Sequence, residues 1–428
     1  MTTAREWAAR LQRREVSPTE VIEHHLRVIE EQNPRVNAIV TFTTEMALEK
    51  ARRFTPGPLF GLPVAHKDLQ ETRGVRTTFG SPIFRDYVPD FDTEIVRRMN
   101  AAGAISVGKT NTPEFGAGSQ TFNPVFGKTR NPFDVSKTCG GSSGGAAVAL
   151  ATGMIALADG NDMGGSLRNP ASFCGVTGMR PTIGIVPGST TLVTDGPMAR
   201  NAGDLAMLLD VVADLPAHGE LDRDFRGARV AWCGEIEGMP FDAEVRAVAD
   251  DARRRFEALG CVVEEAAPDF AGADEAFRVL RAHEFHVKHG EKLGPYRSLM
   301  KETVVQELER GALLKPSDVE RAMELREALI ERTKTFHATY DYFVLPTVQV
   351  LPFDIDKPFV TEINGATMPS YIDWMKSCYF VSMLGAPAVS TPAGFSRSGL
   401  PVGMQIVGPR FADWSVLQLA HAVEEAAR

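Results

Sequence analysis

Two short glycine-serine clusters and one lysine supply the residue types that could do chemistry in this chain. The clusters are TCGGSSGG (138 to 145) and DMGGSLR (162 to 168); the lysine is Lys67, near the end of GLPVAHKDL (61 to 69). Serine hydroxyls are candidate nucleophiles. Glycines let backbone N–H groups come close to a ligand, and a lysine at the end of an apolar segment can be driven by burial into its basic, neutral form. Each feature also has a plainer explanation. Gly-Ser runs are usually linkers, and Lys67 can be satisfied by a salt bridge to Asp68 or another carboxylate. Against a linker, the clusters are short, enclose the apolar AAVALATGMIALADGN, and the second is flanked by Asp162 and Arg168.

Other motifs compete. Gly141-Ser142-Ser143-Gly144-Gly145 is a literal GxSxG, which would make Ser143 a nucleophile served by a later histidine such as His421. That elbow must follow an apolar strand, and DVSKTC does not read as one. A phosphate-binding loop lacks both GxGxxG after a strand and a GK[ST] in the P-loop arrangement. Cys139 lies beside the first cluster with no histidine near it in sequence. His283, His286 and His289 share a predicted helix without an HExxH pattern, so they read as surface or groove residues.

The elements that must position these residues follow from periodicity. Ser17, Pro18 and Glu20 open a helix that Asn33-Pro34 should end. Strands are expected at 37 to 42, 61 to 69, 104 to 108 and 154 to 158, and helices at 44 to 53, 92 to 103 and 144 to 153, with a turn at Pro56-Gly57-Pro58. The segment 110 to 134 is a long, turn-rich loop whose phenylalanines argue for packing. Further on come a helix at 204 to 213, a strand, helix and strand over 227 to 266 with Asp242 as cap, and helices over 273 to 340 with Ser317 capping the last. Strands at 342 to 348, 387 to 394 and 401 to 408 and a helix from Asp413 close the chain. This alternation predicts an α/β fold, a large mixed twisted sheet covered by helices on both faces. It reads as a single domain over 1 to 428, with 214 to 340 a helix-rich region shaping one side of a cleft.

Composition bounds the function. The chain has 428 residues, 43% hydrophobic and 24% charged, enough for a large core. A net charge of -9 gives no reason to expect nucleic acid or an anionic membrane as partner. No apolar run approaches the roughly 20 residues of a membrane span, and the N-terminal segment has no signal-like apolar stretch. A cytoplasmic location is the expectation. Five separated cysteines without a CxxC pair give neither a disulfide framework nor a zinc site.

Taken together, GLPVAHKD (61 to 68), TNTPEF (110 to 115), FGKTRNPFD (126 to 134), GGSSGGAAVALATGM (140 to 154), DMGGSLRNPASFCGVTGMRPTIG (162 to 184), GPMAR (196 to 200) and LPVGMQIVG (400 to 408) resemble the amidase signature family in order and spacing. The resemblance implies Ser166 as nucleophile, Ser142 as bridging serine in a Ser-cisSer-Lys triad and Lys67 as base. The N–H groups of Met163, Gly164, Gly165 and Ser166 would form the oxyanion hole, and the backbone at Gly116 would line the site. It implies an acyl-enzyme hydrolysis of a small-molecule amide, with ester, anilide and carbamate within reach, no metal or cofactor, and a homodimer. A neutral Lys67 requires lowering its pKa from about 10.4 to about 7, or roughly 4 to 5 kcal/mol of differential stabilisation. Met163 stands where many members carry threonine and Cys139 where many carry proline. The family also contains the glutaminase component of a tRNA-dependent amidotransferase, for which this chain is short and abbreviated after GIVP. Arg168 and Asp162 are expected to support the loop from beneath.

Overall fold

The computed structural model describes residues 1–53, 57–214, 219–234, 236 and 238–427. Among these, eleven strands form one mixed sheet. Numbered along the chain they are β1 (Ile39–Phe42), β2 (Pro63–Lys67), β3 (Ile105–Thr110), β4 (Leu157–Asp162), β5 (Thr177–Arg180), β6 (Thr194–Ala199), β7 (Arg229–Trp232), β8 (Val262–Glu265), β9 (Tyr342–Pro346), β10 (Ala388–Phe395) and β11 (Pro401–Val407). Across the sheet their order is β1-β3-β2-β4-β6-β5-β10-β11-β9-β7-β8. β2 runs parallel to both β3 and β4, and β7 runs parallel to β8 and β9. The other pairings are antiparallel.

Burial on both faces explains the apolar character of the central strands. Val64 pairs with Leu157 and Ala65 with Ala158, yet the two pairs belong to different apolar clusters because successive side chains point to opposite faces. The first cluster includes Leu205, Leu209 and Phe343; the second includes Ile22, Val107 and Val148. The same alternation sets Lys67 on the face of Ala65, toward the helix Gly144–Ala151. Lys67 ends β2 and Asp162 ends β4, so both lie at the carboxyl ends of neighbouring parallel strands, where crevices form in open α/β sheets.

Several elements differ from expectation. The helix opened by Ser17 runs to Val36, through Pro34. Its stop is set by the Asn33 side chain, which accepts from the N–H groups of Ala38 and Ile39 and donates to the Ile39 carbonyl, with Asn37 in the left-handed region at φ 53°. The strand expected at 154 to 158 is shifted to Leu157–Asp162, because β6 pairs with it from Leu157 through Asp162. β5 and β6 were not foreseen at all: TGMR and TDGPMA carry glycine, proline and charges that disfavour strands locally. The helix Pro316–Phe336 starts at Lys315, whose N–H donates to Asp318 at 2.8 Å, and not at Ser317, since Pro316 fits the first helical position. The expected Pro56 turn begins outside the described residues.

Within 214 to 340 lie β7, β8 and the helices Ala243–Ala258, Ala273–Leu293, Glu302–Leu313 and Pro316–Phe336. The loop from 110 to 134 is packed, held by Asn123 donating to Asn111 Oδ1 and Thr112 O, each at 2.7 Å. No described helix is long and apolar enough to cross a membrane.

Candidate active site

Lys67 is fully buried, and the immediate contacts of its side-chain amine are all uncharged. Its Nζ lies 2.7 Å from Ser142 Oγ, 2.8 Å from Ser143 Oγ and 2.7 Å from Asn161 Oδ1. Burial pulls the amine down to about 7, against the opposing pull of the Asp195, Asp162 and Asp159 carboxylates. Asp68, the salt-bridge partner considered from sequence, is turned away and accepts from Thr78 N and Oγ1. The three contacts also orient the neutral amine. Asn161 Oδ1 can only accept, and Ser143 Oγ gives its own hydrogen, at a long 3.5 Å, to the Asn161 carbonyl. Two N–H groups are thereby committed, and the lone pair is left for the Ser142 hydroxyl.

The loop that delivers both serines precedes the helix Gly144–Ala151, with a cis peptide between Gly141 and Ser142. Ser143 N–H donates to the Ser166 carbonyl at 3.1 Å, so residues 142–143 and 166 lie side by side. Ser166 is half-buried, and its Oγ has no hydrogen-bond partner among the described residues. A Cβ built on Gly116 would sit 3.6 Å from Ser142 Oγ, which places that backbone at the same spot.

The turn after β4 that carries Ser166 is anchored from below by Asp162. Its carboxylate accepts from Gly165 N at 2.8 Å and Leu167 N at 3.2 Å, and pairs with Arg168 at 3.1 Å and Arg180 at 3.2 Å, all buried. Burial would raise this carboxyl, but the Arg168 and Arg180 guanidiniums outweigh it and hold it well below the usual carboxylate range. Arg168 reaches on to Gln405 and Ser382. Of the four N–H groups expected to converge on an oxyanion, that of Gly165 is thus engaged by Asp162. Those of Met163, Gly164 and Ser166 have no acceptor among the described residues. The glycines have a steric reason as well: a Cβ on Gly164 would lie 2.8 Å from Phe277 Cζ, and one on Gly165, where φ is +122°, 2.4 Å from Cys378 Cβ.

The competing motifs are not assembled. Ser143 follows a loop, and His421 pairs with Asp222 at 3.4 Å on the last helix. Cys139 is buried, with its thiol pushed up to about 12 by burial. His289 packs on Phe115 and Phe285, and no described group of three or more His, Cys, Asp or Glu is placed to hold a metal. Sequence reasoning missed Ser143 and Asn161 as contacts of Lys67, and missed Asp159, which accepts Lys67 N–H at 2.9 Å while also binding His66. Only Ser143 carried a signal, as the second serine of its cluster.

A family model described as Amidase matches residues 20–417. Over an aligned span of 475 positions the chain is 34% identical to the GatA-type component of glutamyl-tRNA(Gln) amidotransferase from Moorella thermoacetica, covering 99% of this chain and 96% of that protein. It is 32% identical to an acylamidase of Rhodococcus erythropolis, covering 98% and 94%. Among solved structures, a bacterial aryl acylamidase of the amidase signature family superposes with a TM-score of 0.90 at 27% identity, covering 99% of this chain and 96% of that one. The corresponding glutamyl-tRNA(Gln) amidotransferase component from Thermotoga maritima gives 0.79 at 29% identity, covering 95% and 91%.

Proposed function

The chain belongs to the amidase signature family, and from that membership we propose that it is a stand-alone hydrolase of carbon-nitrogen amide bonds working through an acyl-enzyme on Ser166. The observation that carries this reading is the buried Lys67 amine, 2.7 Å from the Ser142 hydroxyl and touched only by neutral groups. As Ser166 Oγ attacks the carbonyl, Ser142 takes its proton and passes its own to the Lys67 lone pair; the reverse transfer protonates the departing amine. The N–H groups of Met163, Gly164 and Ser166 receive the developing oxyanion. Gly116 lines the same space. The chemistry asks for no metal or cofactor, and esters, anilides and carbamates present the same carbonyl. The bridging role of Ser142 toward Ser166 is part of the proposal.

A second reading, the glutaminase component of a tRNA-dependent amidotransferase, is favoured by the likeness to the Moorella thermoacetica protein. Against it, the aligned span of 475 positions exceeds the 428 residues here, so that relative carries stretches this chain lacks, and the structural likeness to the acylamidase is higher. The test is covalent labelling with phenylmethanesulfonyl fluoride followed by peptide mapping, alongside turnover of an aryl amide and of glutamine by the chain alone. Label on Ser166 with aryl-amide turnover supports the first reading. Label elsewhere rejects the nucleophile, and glutamine turnover only with added amidotransferase components selects the second.

A further inference from the structure

The functional groups around Lys67 extend one strand further than the triad. β4 and β6 pair so that Asn161 stands directly opposite Asp195, and residues directly opposite in an antiparallel pair share a face. Asn161 accepts from Lys67 Nζ at 2.7 Å, so Asp195 stands beside the residue that holds the amine and acts on that amine through space. It is half-buried there. Gln70, on the turn just after Lys67, donates to Asp195 Oδ1 at 2.9 Å, and its own Oε1 is fixed by Thr93 Oγ1 at 2.9 Å. Asp195 Oδ2 has no hydrogen-bond partner among the described residues.

We propose that Asp195 is a positioning residue for this site, its carboxylate setting the charge carried by the Lys67 amine from its seat beside Asn161. The inference rests on the reading of Lys67 as the base. The other charged groups facing the amine are Asp159 and Asp162 from β4, with His66 bound to Asp159, and Arg168 and Arg180 behind Asp162. Lys109 points the other way, to Gln70 O and Thr72. Asp162 is neutralised by two arginines and Asp159 is shared with His66 and a backbone N–H. Asp195 is held only by a neutral amide, and Lys288 reaches it through space alone. A negative charge there favours the ammonium. It therefore opposes the free base at rest and stabilises the ammonium formed as Lys67 takes up the Ser166 proton through Ser142. Asp195 exchanges no proton with substrate. Burial lifts its own carboxyl to about 7, so that its charge changes over the range in which Lys67 changes.

The experiment compares pH profiles of kcat/KM for an uncharged aryl amide, and of inactivation by phenylmethanesulfonyl fluoride, in the parent and Asp195→Asn. The acid limb should move to lower pH by about one unit, with the plateau kcat lowered about three- to tenfold. A limb that stays in place, or moves up, overturns the inference, because a merely structural residue would change the plateau alone. If Asp195→Asn does not fold, Gln70→Leu is read instead. It weakens the carboxylate, so the limb should move the same way by less, and an unmoved limb again overturns the proposal. Lys67→Ala separates the two levels. If it retains parental activity, the base assignment falls with the inference; if it is inactive and the Asp195→Asn limb is unmoved, the inference alone falls.

Discussion

At the scale of single residues, the decisive fact is that the Lys67 amine is wrapped by two hydroxyls and an amide, with its nearest carboxylates one shell away. Burial lowers it to about 7, so the sign of its pH dependence is fixed. Below that value the amine is an ammonium without a lone pair; above it the base is available. Accordingly kcat/KM should fall about tenfold per unit below pH 7 and level off above it, and a flat profile from 5 to 9 would count against a lysine base. Ser166→Ala should lower kcat by roughly four orders of magnitude or more while the melting temperature stays within about 2 °C, as read by steady-state assay and calorimetry. Lys67, Ser142 and Ser166 were singled out through the resemblance of the motifs that hold them, whereas Ser143 was weighed only as a rival nucleophile and not as a contact of Lys67. Asn161 and Asp159 were not singled out. They lie in LADGND, which looks like a turn until the strand pairing is known.

At the scale of elements, the turn from Asp162 to Arg168 is shaped by what lies under it. Replacing Gly165 by alanine places a Cβ 2.4 Å from Cys378 Cβ at φ +122°, a clash of buried atoms with no flexible end. We expect Gly165→Ala to cost about 2 to 4 kcal/mol in urea unfolding. Displacement of the turn should also lower kcat/KM about a hundredfold; wild-type values of both would show that the turn yields. Asp162→Asn leaves two buried guanidiniums short of their carboxylate and should cost about 3 to 5 kcal/mol by the same measurement. The sequence was a good guide to strands made of β-branched and apolar residues, such as β7 to β9 and β11. It failed at β5 and β6, whose glycines, proline and charges are tolerated only because neighbouring strands pair with them on both sides. β6 carries Asp195, so the failure also hid a candidate functional residue.

At the scale of the whole molecule, the question is whether the chain acts alone. The proposed reading expects the purified protein to turn over an uncharged aryl amide at a rate unaffected by EDTA. Loss of activity restored only by added metal would contradict it. Sedimentation of the same preparation tests the homodimer implied by the family resemblance. The mixed sheet was foreseen from alternation of helices and apolar strands, whereas the substrate was not, because the regions that shape the cleft carry no periodic pattern tied to one ligand. One contact bears on how such a protein can change what it accepts. The helix Ala273–Leu293 presses Phe277 against the Gly164 backbone, with Tyr379 stacked on the ring at 4.3 Å. The helix-rich region expected to shape one side of the cleft is therefore also a floor for the amide groups proposed to receive the carbonyl oxygen. Retuning selectivity by redesigning that helix is constrained to positions other than 277, and a swap of the entire segment would bring a donor chain's selectivity only if it supplied an equally flat support there.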